Sequence, residues 1–208
     1  MRRGLFISIE GSDGSGKSTQ LENIKKYYED KGIKILATRE PGGTEISEKL
    51  RSILLDKDNS EMSPIAEMMI YSASRAQLVD EVIRPALERG EVVICDRFID
   101  SSIAYQGYGR GLGDMVEKVN LYAVGDIMPD LTIFLDLDPA LGRKRVQERY
   151  GTESMDRLEQ EKMDFHYRVY EGYKALAKAY PDRIVSIDAS RSIEEMKDDI
   201  YAQLDRLK

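Results

Sequence analysis

One short segment constrains the fold of this chain more than any other. Residues 11–19 read Gly-Ser-Asp-Gly-Ser-Gly-Lys-Ser-Thr, which fits the pattern G-x-x-x-x-G-K-[ST]. An apolar run, Leu5–Ile9, precedes the segment, and an amphipathic helical pattern, Lys17–Asp30, follows it. Glycines let a backbone wrap its N–H groups around phosphate oxygens, and the helix adds its positive N-terminal end. The segment therefore predicts a strand–loop–helix phosphate site rather than a glycine-rich turn without a ligand.

Two side chains of this loop have predicted roles at a nucleoside triphosphate such as ATP. Lys17 is expected to reach the β- and γ-phosphates, and the Ser18 hydroxyl is expected to bind Mg²⁺. The loop does not identify the reaction, because GTPases, motor ATPases and small-molecule kinases share it. The residues predicted to bind the nucleotide are Gly11, Ser12, Asp13, Gly14, Ser15, Gly16, Lys17, Ser18 and Thr19.

Short apolar runs alternate with longer helical patterns along the chain. Near-continuous apolar strands separated by helices are typical of a parallel sheet covered on both faces, so we predict a three-layer α/β fold with a five-stranded parallel sheet flanked by helices. No repeat or Pro/Gly-rich linker divides the chain, which predicts one domain over residues 1–208. The predicted strands are Leu5–Ile9, Ile33–Ala37, Val92–Cys95, Leu131–Leu137 and Ile184–Ile187. The predicted helices cover about residues 17–30, 45–55, 63–89, 139–149, 155–179 and 192–207.

Charge and cysteine content exclude several classes of partner. The net charge of −7 argues against a general nucleic-acid or anionic-membrane binder. A single cysteine cannot form a disulfide framework and fits a reducing compartment. No apolar run approaches membrane-spanning length, and the apolar run near the N-terminus is too short for the core of a signal peptide. We therefore expect a cytoplasmic protein.

Four further motifs stand at predicted strand ends or helix starts. They read Thr-Arg-Glu-Pro-Gly-Gly from residue 38, Tyr-Ser-Ala-Ser-Arg from residue 71, Asp-Arg-Phe from residue 96 and Ala-Tyr-Gln-Gly-Tyr-Gly-Arg-Gly from residue 104. Together with the phosphate loop, in this order along the whole chain, they closely resemble the thymidylate kinase family, which phosphorylates dTMP with ATP. The resemblance implies the P-loop nucleoside-monophosphate kinase fold, ATP with Mg²⁺ as phosphate donor, and a homodimer.

Three arginines are predicted by this resemblance to hold the phosphate of dTMP. Arg39 and Arg97 are expected to face it, and Arg51 is expected to help from the next helix. A planar guanidinium fork suits a dianion that must be aimed. For Arg51 in particular, the alternative is a solvated surface charge.

Three acidic residues are candidates near the phosphates. Asp96 ends an apolar strand, where a carboxylate can hold Mg²⁺ directly or through water; the alternative is a structural partner for Arg97. The resemblance implies that a carboxylate at Asp13 contacts the deoxyribose or the metal shell. Glu40 is a further candidate in the acceptor site.

The resemblance also identifies a base pocket. Tyr71 and Arg75, one helical turn apart, are expected to stack on thymine and to donate to a thymine carbonyl. Gln106 can both donate and accept, which suits O4 and N3–H of thymine. Ser102 is a weaker candidate near the base, and Tyr105 is expected to pack under the sugar. The alternative for both tyrosines is core packing.

A basic segment after the fourth predicted strand resembles the lid of this enzyme class, over about residues 141–156. The family has two patterns, with the catalytic arginine either in the phosphate loop or in the lid. Because the variable loop positions 12–15 contain no arginine, the resemblance implies that the catalytic charge lies in the lid. Arg145 and Arg149 are the predicted catalytic arginines, with Lys17 and Arg97, and Arg143 is a lesser candidate. The alternative is a solvated basic helix face.

Three remaining residues complete the prediction. Arg191 follows the last strand where relatives cradle adenine, although it could be an exposed helix-start charge. His166 has no role in the proposed chemistry and is interpreted as structural, and Cys95 as a buried apolar thiol. Two other functions stay open: another nucleoside-monophosphate kinase, such as one acting on dUMP or on several pyrimidines, and a P-loop switch or ATPase module without a second phosphate pocket.

Overall fold

A computed structural model describes residues 4–150 and 156–207, without the side chain of Tyr150. These residues form a five-stranded, all-parallel sheet in the order β2-β3-β1-β4-β5, which confirms the predicted fold class. Each predicted strand is present, with ends that differ by at most two residues from the prediction. The strands are Phe6–Glu10 (β1), Ile35–Arg39 (β2), Val92–Asp96 (β3), Leu131–Asp136 (β4) and Ile184–Asp188 (β5).

Helices cover both faces of this sheet, and several begin at a side-chain cap. Thr44, Ser63 and Ser192 each accept a hydrogen bond from a backbone N–H of the first turn that follows them, which satisfies a donor that the helix itself cannot pair. The α-helices are Lys17–Glu29 (α1), Glu45–Leu55 (α2), Pro64–Leu78 (α3), Arg84–Glu88 (α4), Ile99–Ser102 (α5), Met115–Val124 (α6), Pro139–Tyr150 (α7), Met163–Ala179 (α8) and Ile193–Leu204 (α9).

The sequence patterns placed some of these helices incorrectly. Helix α8 begins at Met163, so the prediction of helix from residue 155 was wrong for residues 156–162; Lys162 is extended and residues 157–161 form turns. The predicted helix over 63–89 contains a π-helical turn, Val79–Ile83. The patterns also missed α5, α6 and a second π-helix, Ile103–Gly109, because the glycines of that region resemble a loop.

Alternation along the strands divides the core between the two faces of the sheet. Ile7 and Ile9 pack with α1 and α9 on one face, whereas Phe6 and Cys95 pack with residues from α3 to α4 on the other. Cys95 is buried and free, as predicted.

The strand order changes direction at β1, which places the phosphate loop at the centre of the carboxyl edge of the sheet. Open α/β sheets bind ligands at such a position. Arg39 and Asp96 are paired in register at the ends of β2 and β3, so two predicted site residues lie beside the loop. Among the described residues, no helix combines the length and apolarity needed to cross a membrane.

Candidate active site

The phosphate loop connects β1 directly to α1. Lys17 Nζ bends back over the loop and donates to the carbonyl oxygens of Gly11 and Ser12, at 3.1 Å each. Gly16 has φ 95° and supplies no side-chain cap among the described residues. The first N–H groups of α1 are therefore available to an anion, because no side-chain oxygen caps them.

Two glycines bring the start of α7 against this loop. A Cβ on Gly14 would lie 2.3 Å from the carbonyl oxygen of Gly142, and a Cβ on Gly142 would lie 2.5 Å from the carbonyl oxygen of Asp13. Gly14 also has φ 80°, a backbone conformation that side-chain-bearing residues rarely adopt. The predicted lid helix and the phosphate loop thus touch backbone to backbone.

Arg97 has a strained backbone and a side chain held by several polar contacts. Its φ of 68° is positive, which is uncommon for a residue other than glycine and clusters at functional sites. Its guanidinium donates to Asp13 Oδ1 at 2.9 Å and to the hydroxyl of Tyr173 at 3.2 Å. It also lies 5.1 Å from the ring centroid of Tyr105. The turn after β3 therefore aims this arginine towards the phosphate loop.

Asp13 is held in its ionised form by two cations. Burial by itself would raise the pKa of its carboxyl, but the charges of Lys17 and Arg97 outweigh burial and hold the pKa well below its usual range. Burial and the nearby charge of Arg97 lower the pKa of Lys17, with Asp13 and Asp96 opposing them. Positive charge is thus concentrated locally within an acidic protein.

Asp96 fits a metal site on a structural observation of its own. Its Oδ1 is buried and has no hydrogen-bond partner among the described residues, although burial of an unpaired carboxylate oxygen is costly. It lines the same cavity as Lys17 and Ser18. The described residues contain no group of three or more metal-ligating side chains. This donor set suits Mg²⁺, which is commonly held by one or two protein oxygens together with substrate phosphates and waters.

Two cavities meet in this region. The P-loop cavity, of about 910 Å³, is open to solvent and is lined by residues 13–20 of the loop and α1, and by Arg39, Asp96 and Arg149. The Tyr71 cavity, of about 200 Å³, is lined by the predicted base-pocket residues Tyr71, Arg75, Ser102, Tyr105 and Gln106. Both cavities are lined by Asp13, Glu40, Arg51, Arg97 and Glu159.

Arg75 lies at the Tyr71 cavity, where its guanidinium makes four hydrogen bonds and an ion pair with protein oxygens. It is 1% exposed, and it donates to Glu40, Ser102, Asn120 and the carbonyl of Phe98. A thymine carbonyl would therefore compete with these acceptors for the guanidinium. Burial raises the pKa of Glu40 to about 6 against the opposing charge of Arg75, and Glu40 Oε1 is buried without a partner among the described residues.

The other two predicted phosphate-binding arginines differ in how firmly they are held. Arg39 forms an ion pair with Glu48 at 2.8 Å, and 53% of its side chain is exposed. Arg51 donates to the carbonyl oxygen of Pro41 at 2.8 Å and lies between the two cavities. Arg39 lines the P-loop cavity and is not among the residues that line the Tyr71 cavity.

The basic residues of α7 face different surfaces. Arg145 donates to the carbonyl oxygens of Ala189, at 3.0 Å, and of Gly14, at 3.4 Å, so it connects the loop after β5 to the phosphate loop. Arg145, Arg149 and Arg191 line the P-loop cavity, whereas Arg143 lines a smaller cavity beside it. Residues 151–155 of the predicted lid lie outside the described residues.

Sequence patterns missed one wall of the Tyr71 cavity. Asp156, Leu158 and Glu159 line it, and Glu159 also faces the P-loop cavity. His166, interpreted as structural, lines the Tyr71 cavity as well. The signal available in the sequence was the polar run Asp156–Glu159, which the helical interpretation of residues 155–179 concealed.

Comparisons with known proteins agree on one family. A family model described as thymidylate kinase matches residues 9–200. A thymidylate kinase of Exiguobacterium sp. is 50% identical over 198 residues, which cover 95% of this chain and 92% of the relative. One from Lactobacillus delbrueckii subsp. bulgaricus is 51% identical over 197 residues, covering 93% of this chain and 92% of the relative. The crystal structure of thymidylate kinase from Ehrlichia chaffeensis superimposes with a TM-score of 0.77 at 33% identity, covering 97% of this chain and 99% of that one.

Proposed function

The chain belongs to the thymidylate kinase family and phosphorylates dTMP in nucleotide biosynthesis, and we propose that one domain over residues 1–208 performs this transfer from ATP with Mg²⁺. The observation that carries the proposal is the shared wall of the two cavities. Arg97 and Asp13 stand in that wall, between the phosphate loop on one side and the Tyr71 cavity on the other. Two nucleotides bound in these cavities would meet at their phosphates.

On the donor side, residues 11–19 would cradle the phosphates of ATP, with Lys17 at the β- and γ-phosphates. Ser18 and Asp96 would hold Mg²⁺, which would supply positive charge to neutralise the charge that develops on the transferred group. Arg191, exposed at the loop after β5, would lie against the adenine. The unpaired Oδ1 of Asp96 supports the metal assignment.

On the acceptor side, Arg39, Arg51 and Arg97 would hold the phosphate of dTMP. Tyr71 would stack on thymine, Gln106 and Arg75 would contact its polar edge with Ser102 nearby, and Tyr105 would pack under the sugar. Asp13 and Glu40 lie in the wall that both cavities share and would be close to the deoxyribose and phosphate.

The chemistry then depends on alignment and charge rather than on a protein base. The second pKa of a phosphate monoester is about 6, so the attacking oxygen is already ionised at neutral pH. Lys17 and Arg149 would stabilise the transferred phosphoryl group, and Arg97 would aim the attacking oxygen along the line of transfer. Closure of a lid over about residues 141–156 would exclude water, which would otherwise hydrolyse ATP.

A homodimer is supported by an exposed apolar surface on three helices that pack in sequence, α2, α3 and α6. Tyr122 exposes 92% of its surface, and large apolar side chains exposed on soluble proteins often mark interfaces. The other exposed residues of this surface are Ile46, Ile53, Ile65, Met69, Met115 and Leu121. The buried free thiol of Cys95 is compatible with a cytoplasmic location.

An ATP-dependent kinase assay across nucleoside monophosphates tests the proposed function. We expect dTMP to be the preferred substrate, dUMP to be poorer by about 10- to 200-fold because it lacks one methyl group, and dCMP to be rejected because its hydrogen-bond pattern is reversed. Comparable turnover of dCMP would show that the base-pocket assignment is wrong. A P-loop switch would show no thermal stabilisation by dTMP, whereas a kinase should be stabilised.

A further inference from the structure

One buried carboxylate outside the residues assigned above collects four hydrogen bonds. Glu67 is fully buried in α3. Its Oε1 accepts from Gln106 Nε2 at 2.8 Å and from Arg110 Nε at 3.2 Å. Its Oε2 accepts from Arg110 Nη2 at 3.0 Å and from Arg157 Nη2 at 2.7 Å. The lone pairs of a carboxylate accommodate about four donors, so this group is saturated.

The position of Glu67 relates it directly to the base pocket. It precedes Tyr71 by one helical turn and Arg75 by two, so all three residues lie along one stripe of α3. Arg157 belongs to the segment whose neighbours Asp156 and Leu158 line the Tyr71 cavity. Through Arg157, the Glu67 carboxylate therefore holds in place the wall of the Tyr71 cavity that the sequence patterns missed.

The chemistry of Glu67 also determines how Gln106 is oriented. Burial would raise the pKa of Glu67, but hydrogen bonds from Arg110 and Gln106 outweigh burial and lower it, so the group is an ionised acceptor. An ionised carboxylate accepts hydrogen bonds and donates none. The nitrogen end of the Gln106 amide must therefore face Glu67, since a reversed amide would set its carbonyl oxygen against a carboxylate oxygen.

We propose that Glu67 is a specificity-determining positioning residue that fixes the amide of Gln106. Among the described residues, the bond to Glu67 is the only hydrogen bond of the Gln106 side chain. Because one N–H of the Gln106 amide donates to Glu67, the Gln106 Oε1 can accept a hydrogen bond from a ligand in the Tyr71 cavity. The second N–H of the amide can donate a hydrogen bond to the same ligand.

A base with an N–H at position 3 and a carbonyl at position 4 matches this arrangement, and thymine and uracil have both. Cytosine presents an acceptor at position 3 and an amine at position 4, which would require the reversed amide. This inference rests on the proposed contact between Gln106 and the base.

The substitution Glu67→Gln tests the proposed role of Glu67. A glutamine at this position can donate or accept a hydrogen bond, so it tolerates both orientations of the Gln106 amide. We expect the ratio of kcat/KM for dTMP to kcat/KM for dCMP to fall about tenfold or more, with the KM for ATP unchanged. A folded variant with the unmodified enzyme's ratio would overturn the proposal. In a Gln106→Leu background, the same substitution should leave the ratio unaltered; a further fall there would also overturn it.

Glu161→Gln is the matched control, because Glu161 pairs with Arg110 and does not contact Gln106. The ratio of kcat/KM for dTMP to kcat/KM for dCMP should be the same in this variant as in the unmodified enzyme. If the ratio fell as it does in Glu67→Gln, the loss of specificity would come from Arg110 and not from the Gln106 amide. If the unmodified enzyme fails to phosphorylate dTMP, the proposed function fails. If it succeeds and the ratio is insensitive to Glu67→Gln, only the role of Glu67 fails.

Two further measurements test the proposal if the Glu67→Gln variant does not fold. The double variant Glu67→Gln, Arg157→Gln removes a compensating buried charge and is expected to show the same fall in the ratio; an unchanged ratio overturns the proposal. In the unmodified enzyme bound to dTMP, NMR should show contacts between the Gln106 side-chain amide protons and the Glu67 methylene protons. Their absence in the folded complex would place the oxygen end towards Glu67 and contradict the proposal.

Discussion

Arg97 and Asp13 are joined by a hydrogen bond of 2.9 Å between Nη2 and Oδ1, across 84 residues of chain. The bond links the turn after β3 to the phosphate loop after β1. Lys17 approaches the same Asp13 oxygen at 3.4 Å. The phosphate loop and Arg97, the proposed acceptor arginine, thus share one carboxylate, which would couple the geometry of the two proposed substrate positions.

Asp13→Asn should weaken this coupling. The arginine keeps a polar neighbour but loses the charged one, and a charge-assisted hydrogen bond contributes roughly 1.5–3 kcal/mol. We expect kcat/KM for dTMP to fall about 10- to 100-fold, measured by steady-state kinetics at saturating ATP. Glu22→Gln, on the exposed face of α1, is the control. A value for Asp13→Asn within twofold of the unmodified enzyme would contradict the assignment.

Replacing each of the two lid arginines, Arg145 and Arg149, should change a different kinetic parameter. Arg149→Ala should reduce kcat by about 10³-fold or more, by comparison with arginine fingers. Arg145→Ala should act mainly on the KM for ATP, because Arg145 holds the carbonyls of Gly14 and Ala189. Lys144→Ala is the control on the same helix, since 70% of the Lys144 side chain is exposed. Near-normal turnover in both arginine variants would rule out a catalytic lid.

Asp96→Asn should change the requirement for Mg²⁺. An amide oxygen is a weaker ligand than a carboxylate, so the Mg²⁺ concentration for half-maximal activity should rise about tenfold. The Mg²⁺ titration is run at fixed total ATP, with Asp188→Asn as control because Asp188 ends the edge strand β5 as Asp96 ends β3. An unchanged titration, with normal folding, would support the alternative that Asp96 is structural.

Glu10 should make the stability of the protein depend on pH. Burial, followed by the charge of Asp100, raises the pKa of its carboxyl from 4.5 to about 7. Between these values the native state retains a proton that the unfolded chain releases, so the free energy of unfolding should decrease as pH rises. The total effect is up to about 3 kcal/mol, since each pKa unit corresponds to about 1.4 kcal/mol.

Glu10→Gln removes this titration while keeping an acceptor for the backbone N–H of Phe98. Urea denaturation at pH 5, 6, 7 and 8 should therefore give a shallower dependence for the variant than for the unmodified protein. Parallel curves for the two proteins would show that Glu10 does not titrate in this range.

Much of the site could be predicted because its residues are adjacent in the chain. The phosphate loop needs only glycines, a lysine and a hydroxyl at fixed spacing between a strand and a helix, and all of these lie within residues 11–19. Tyr71 and Arg75 were predictable as a pair, because one helical turn sets their relation.

Other features escaped prediction because they depend on distant contacts. The close approach of Gly14 and Gly142 joins positions 128 residues apart in the sequence. The position of Glu159 in the wall of both cavities depends on how residues 156–162 turn before α8. No local pattern specifies such a turn, because tertiary packing overrides local propensity.

The sequence by itself determined the parallel α/β fold, the phosphate loop and the family, since apolar periodicity and motif spacing are local properties that survive without coordinates. Only the tertiary structure decided the strand order, the strained backbone of Arg97, the protein partners of Arg75 and the convergence of Gln106, Arg110 and Arg157 on Glu67. These depend on which buried polar groups meet when the core forms, because each must find a partner that can lie anywhere along the chain.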